Sequence, residues 1–201
     1  MTGESPANSR QSLSEQADGK AFHALATHFA FARREDILRR RMRILNFVGL
    51  GPLLVAGAVA LTFNRDESVW SYTASVAAIA SVLQAVMCGI SICFEWPSEL
   101  SRSTQASVSN LRIFDEFRAI ASERHEQLEV VERRLAAASA VDLRQQELDS
   151  GGLSDEELRR GYRKALWFLE KTCPTCGSTV KGMQPSQCET CGGFKERRWA
   201  L

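Results

Sequence analysis

Four cysteines near the end of the chain, Cys173, Cys176, Cys188 and Cys191, form two CxxC pairs with eleven residues between the pairs. The thiolate is a strong zinc ligand, and a CxxC turn lets two sulfurs reach one ion because the backbone folds sharply between them. Two such turns supply four thiolates, which closes a tetrahedral site and leaves no open position for a substrate. The spacing therefore predicts a structural Zn2+ site with these four residues as ligands, and not a catalytic metal. Gly177 follows CPTC and Gly192 follows CETC, and glycine eases each reversal. Between the pairs there is little to bury beyond Val180 and Met183. Metal must then supply much of the local folding energy, as in zinc-finger peptides, where apparent binding is worth about 10–16 kcal/mol. Thiol–disulfide exchange is the competing chemistry, but one reactive pair would suffice for it, and no strand–helix setting surrounds either pair. The chain offers no phosphate-cradling glycine loop, no nucleophile with a base and no carboxylate pair in an apolar setting, so it is read as non-enzymatic.

What must position this site is a chain of 201 residues with a formal net charge of +1, which gives no electrostatic argument for nucleic acid. The average hides a strong segregation. Residues 44–64 carry no charge and residues 68–94 carry none either, while the rest is polar and heavily charged. Runs of this length cross a hydrocarbon core of about 30 Å as helices rising about 1.5 Å per residue. Two transmembrane helices are predicted, at 44–64 and 69–94. A buried hairpin of soluble core helices is the alternative, and the remaining sequence is too polar to wrap it.

The flanks set the orientation. Arg33, Arg34, Arg39, Arg40, Arg41 and Arg43 precede the first run, whereas the connector offers Arg65 beside Asp66 and Glu67. Positive residues stay cytoplasmic, so both termini are expected inside, and the arginines are expected to touch lipid headgroups. No secretory signal is visible, so the first span is expected to direct its own insertion. A reducing cytoplasm also argues against disulfides among the CxxC cysteines. The connector between the runs is very short, which predicts antiparallel packing. Small residues (Gly49, Gly51, Ala56, Gly57 and Ala60 on one helix; Ala74, Ala77, Ala78, Ser81 and Ala85 on the other) permit close approach, and Pro52 is a candidate kink. Ser81, Gln84, Cys88 and Ser91 make one polar stripe. It reads either as hydrogen-bonding glue or, in an oligomer, as the lining of a water-filled path. Cys88 and Cys93 read as small packing residues. Trp70, Tyr72 and Trp96 fit interface belts.

Outside the spans, residues 1–19 are polar and expected to be disordered. Residues 20–43 read as a cytosolic amphipathic helix with Phe22, Leu25 and Phe29 on one face; His23 and His28 flank it as packing or surface residues rather than ligands. Residues 98–149 carry a heptad-like pattern, Phe114, Phe117, Ala121, Leu128, Val131, Leu135 and Ala138, with Arg124 interrupting. This predicts either a coiled-coil stalk or an antiparallel pairing with the N-terminal helix. His125 is expected to face solvent. Gly151 and Gly152 favour a reversal, Ser154 and Glu157 match a capping box, and a short helix is predicted over 153–171. The zinc ribbon occupies 172–194. Lys181, Lys195, Arg197, Arg198, Phe194 and Trp199 could serve nucleic acid, but Glu170, Glu189 and Glu196 dilute the patch, so protein docking or a structural role is favoured. The fold class is thus an all-α membrane protein: a two-helix transmembrane hairpin, cytosolic helices and a small C-terminal zinc ribbon.

The arrangement resembles two known groups. FARREDILRRRMRILNFVGLGPLLVAGAVALTF, the second helix, and FEWPSELSRSTQASVSNLRIFDEF look like a SLATT domain, and the tail spacing is similar to that of bacterial mobilome CxxCx(11)CxxC proteins. The resemblance implies a multi-pass bacterial inner-membrane protein of mobile elements. It also implies an effector of antiviral conflict that perturbs the membrane when a sensor partner or a nucleotide signal triggers it, and the chain is expected to act as a homo-oligomer through its helices. The ribbon would be where that partner docks. The second expectation is a membrane-tethered adaptor whose ribbon recruits a protein or nucleic acid.

Overall fold

The computed structural model describes residues 6–62 and 67–194. Five helices follow one another: α1 (Pro6–Thr62), α2 (Glu67–Cys93), α3 (Trp96–Ser122), α4 (Leu128–Asp149) and α5 (Asp155–Phe168). Among the described residues there is no strand, only an isolated antiparallel bridge between Thr172 and Thr179. The chain divides into two compact units, one built from Met1–Arg34 with Ser103–Ala200, the other from Glu35–Arg102.

The first unit is held by small residues on α1 facing large ones on α3 and α4. Ala17, Ala21, Ala24 and Leu25 pack with Ile113, Phe114, Phe117, Ile120, Val131, Leu135 and Ala138 in one buried cluster. Two expectations need correction here. The disorder expected over 1–19 does not hold for residues 6–19, which belong to α1. Leu13 packs on the core and Ala17 is fully buried in it. The polar side chains around them are tied down as well. Arg10 donates to the carbonyls of Arg124 and Glu126 at 2.9 and 2.7 Å, and Ser14 donates to that of Ala121 at 3.0 Å. Docking against α3 and α4 thus outweighs the weak intrinsic helicity of a polar segment.

The second correction concerns the stalk. Residues 98–149 are not one helix: the chain breaks over 123–127 between α3 and α4. The stretch SERHEQ carries no apolar group to bury, and Arg124, the misfit in the heptad pattern, lies in the break. The chain returns so that Asn110 Nδ2 donates to Asp149 Oδ2 at 2.7 Å. The heptad positions Phe114, Phe117, Val131, Leu135 and Ala138 are therefore buried against α1 within the chain.

In the second unit, α2 returns beside α1. Ser91 is buried and its hydroxyl lies 3.8 Å from Met42 Sδ, and the Arg41 guanidinium lies 5.6 Å from the Trp96 ring centroid. Within α2, Ser71–Cys93 has a mean hydropathy of 2.1 and only 6% of its most apolar stretch is buried. Among the described residues it is the one helix long and apolar enough to cross a membrane. The other expected span, 44–64, falls partly outside them, as do the connector residues Asn64–Asp66 and the tail residues Lys195, Glu196, Arg197, Arg198 and Trp199. The surroundings of Gly49 and the side chains of Pro52, Ala56, Ala60 and Trp70 also lie outside the described set. The polar stripe divides. Ser81 is exposed and donates to its own helix at the Ala77 carbonyl, 2.8 Å away. Gln84 Nε2 reaches Cys88 Sγ at 3.3 Å, and Ser91 faces Met42.

Candidate metal centre

The site starts from α5, whose first turn is closed by the expected capping box: the Glu157 N–H donates to Ser154 Oγ at 3.4 Å, and the Ser154 N–H donates to Glu157 Oε2 at 2.9 Å. The helix ends in a Schellman turn. The Glu170 N–H donates to the Trp167 carbonyl (3.3 Å) and the Lys171 N–H to that of Leu166 (3.0 Å), with Glu170 at φ +53. This reversal delivers the chain into the first CxxC turn.

Both turns close in the same way. The Gly177 N–H donates to the Cys173 carbonyl and the Gly192 N–H to the Cys188 carbonyl, each at 2.8 Å. Their glycines serve different ends. Gly177 adopts φ +66, which only glycine holds without strain. In the second turn the left-handed residue is Gly193, at φ +68. Gly192 is needed for close approach, since a Cβ there would overlap the carbonyl and hydroxyl oxygens of Ser186.

The two turns bring the four sulfurs within 4.8 Å of one another. Cys173 Sγ lies 4.0 Å from Cys188 Sγ, and Cys176 Sγ lies 3.8 Å from Cys191 Sγ. Four sulfurs at about 2.3 Å from a tetrahedral ion stand about 3.8 Å apart, so these separations fit a bound metal. They do not fit a disulfide, which needs about 2.05 Å, and all six cysteines are free. Among the described residues this is the one group of three or more such donors placed to hold a metal ion. The family described as Mobilome CxxCx(11)CxxC protein matches residues 14–194. The chain belongs to this family. No curated protein and no solved structure matches it.

The local fields around the mobilome-family cysteines differ. The backbone N–H and then the hydroxyl of Ser178 hydrogen-bond the Cys176 sulfur and bring its thiol from the ordinary 9.0 down to about 6. Cys188 is lowered too, by the backbone N–H groups of Cys191 and Thr190. Burial works the other way on Cys191, pushing its thiol up to about 12. Thiolate character is thus favoured on one sulfur of each turn, and a metal would complete the deprotonation of the rest. Tyr162 of α5 feels the same cluster: burial, and then the sulfurs of Cys173, Cys191 and Cys188, raise its hydroxyl.

The cysteine turns are not a separate bead. Leu166, Cys173, Val180 and Cys191 form a second buried cluster, with Phe22, Tyr162 and Cys188 packed against it. Phe22 and Tyr162 meet edge to face at 4.7 Å, which joins the cluster to α1. Arg160 stacks over Phe194 at 5.0 Å. Arg163 is buried, and its guanidinium donates to the carbonyls of Gly182 (2.8 Å) and Cys191 (2.9 Å) and to Ser186 Oγ (3.4 Å). Arg163, Ser178 and Ser186 were not anticipated from sequence. The signal that could have found the first is its place on the apolar-edged helix leading straight into CPTC.

His28 lies elsewhere. Its Nδ1 contacts the carbonyl and hydroxyl oxygens of Ser107 at 2.8 and 3.1 Å.

Proposed function

We propose that the chain is a non-enzymatic, multi-pass protein of the bacterial inner membrane, with the hairpin 44–64 and 69–94 in the bilayer and both termini cytoplasmic. The bundle and a zinc-filled ribbon stand on the cytosolic side. Its action is that of a SLATT-like effector in mobile-element or antiviral conflict, perturbing the membrane as a homo-oligomer when a cytosolic partner engages the ribbon. The carrying observation is Ser71–Cys93, apolar at a mean hydropathy of 2.1 and almost uncovered by the rest of the protein. Lipid is the solvent that such a surface fits. Exposed Ile44, Phe47, Leu54 and Val55 on α1 support a second lipid-facing segment. Exposed Arg40 and Arg43 stand just before it, at headgroup level in this reading. Gln84 Oε1 is shielded from solvent and has no hydrogen-bond partner among the described residues, and a polar group in an apolar span marks a functional position in this reading. The four-thiolate set has no open position, which suits zinc in a structural rather than a catalytic role.

The test is inducible expression with a potential-sensitive dye, alongside membrane fractionation. The expected result is a membrane-fraction protein whose induction depolarises cells, with Gln84→Leu weakening the effect. Membrane potential unchanged with and without a phage challenge would defeat the effector reading. Full function after exchange of 44–94 for an unrelated hairpin would favour the tethered adaptor instead.

A further inference from the structure

We propose that Arg163 is the cationic partner of the metal-loaded ribbon, and that metal occupancy and the docking of the ribbon on α5 are thereby one linked equilibrium. The inference rests on the metal reading of the four cysteines. A divalent ion held by four thiolates carries a net charge of −2. Here two of those ligands, Cys173 and Cys191, are 0% and 1% exposed, beside Leu166 and Val180. A buried charge is costly unless a counter-charge and hydrogen bonds meet it.

Arg163 has the complementary problem. It is 9% exposed, and among the described residues its hydrogen-bond partners are two carbonyls, a hydroxyl and the Cys191 sulfur at 3.9 Å, with no carboxylate. Its neighbour Arg160 pairs with Glu156 at 3.0 Å. Arg163 instead points its charge at the ligand set. The same guanidinium holds three points of the ribbon: Gly182 between the turns, Ser186 before the second turn, and Cys191 within it. The fixed fork of an arginine suits this use better than a single ammonium point charge would. Linkage is reciprocal: if metal strengthens docking through Arg163, then Arg163 strengthens metal binding by the same factor.

The experiment uses the full chain in detergent micelles as wild type, Arg163→Gln and Arg163→Lys. Competition with a chromophoric chelator is expected to show zinc held about tenfold or more weakly by Arg163→Gln, in the range typical of outer-shell changes. Arg163→Lys is expected to fall between it and wild type. Iron placed in the site separates charge from packing. Reduction takes the four-thiolate iron centre from −1 to −2, so loss of the cation is expected to lower the potential in Arg163→Gln while Arg163→Lys stays near wild type. Hydrogen exchange on wild type needs no variant to fold: zinc removal is expected to deprotect α5 around Arg163. Equal zinc retention with an unmoved potential, equal losses in both variants with an unmoved potential, or unchanged α5 protection on zinc removal each overturns the proposal and leaves the metal site standing. Failure of the wild type to bind zinc, cobalt or iron removes the metal site and the proposal together.

Discussion

Gly161 of α5 lies so close to Ala26 of α1 that a Cβ on it would overlap the Ala26 carbonyl oxygen and sit 3.0 Å from Ala30 Cβ. The helix that carries the ribbon is therefore seated on α1 backbone to backbone, with Ala26 and Ala30 supplying the matching small surface. Such a crossing tolerates no added volume without a shift of one helix. Gly161→Ala gains helix propensity but forces that shift, so a net loss of about 1–3 kcal/mol is expected. Thermal unfolding followed by circular dichroism reads it. A Tm equal to wild type would show that the helices separate here at no cost.

At the C-terminal end of α5 the misfit runs the opposite way. Glu170 closes the Schellman turn at φ +53, a conformation that costs a residue with a Cβ about 1–2 kcal/mol. Its side chain is exposed. Glu170→Gly is expected to stabilise the protein by about 1 kcal/mol, after some of the gain is returned to the greater freedom of glycine in the unfolded chain. Lower stability in denaturant titration would mean that the carboxylate has a role beyond the turn.

How far the sequence foretold this arrangement differs from element to element. The four cysteines and the Ser154–Glu157 cap were legible because their chemistry is local: a turn of fixed spacing, a hydroxyl three residues before a carboxylate. The helix over residues 6–19 was not. Its core contacts, half-buried Leu13 and buried Ala17 and then Ala21, are thinly spread among serine, glutamine and aspartate, and what orders them is a surface on α3 and α4 that is distant in sequence. The break at 123–127 was masked because Ala121, Leu128 and Val131 keep helical spacing across it. Arg163 was invisible for a third reason. Nothing in ELRRGYRKALW distinguishes one arginine from the next; only the reversal at Glu170 sends the chain back over that face of α5.

Gly192 and Gly182 make a matched pair for testing the second cysteine turn. A Cβ on Gly192 would overlap Ser186, whereas one on Gly182 would meet nothing within 4 Å. Gly192→Ala is expected to push the Cys188–Cys191 turn open and lower zinc content measured by elemental analysis. Gly182→Ala is expected to leave the content near one zinc per chain. Loss in both, or in neither, would contradict the close-approach account.

Acid should empty the site, and the hydrogen bonds to Cys176 oppose it by favouring the thiolate. Ser178 favours the thiolate and lowers the thiol from 9.0 to about 6. For a lowered acid the sign is fixed: the stabilisation is complete above the unfolded value near pH 9, shrinks as the pH falls and is gone below about 6. Metal binding requires the same deprotonated form and itself lowers the pKa of every ligand, so zinc retention is expected to hold at neutral pH and to be lost on acidification below about 6. Ser178→Ala removes the hydroxyl and keeps the backbone N–H, so it should move the release midpoint to higher pH by a fraction of a unit. A chelator-dye titration across pH 4–8 measures both curves. Coincident midpoints would show that the hydroxyl does not act on the Cys176 thiolate, and zinc held firmly at pH 4 would remove Cys176 protonation as the event that opens the site.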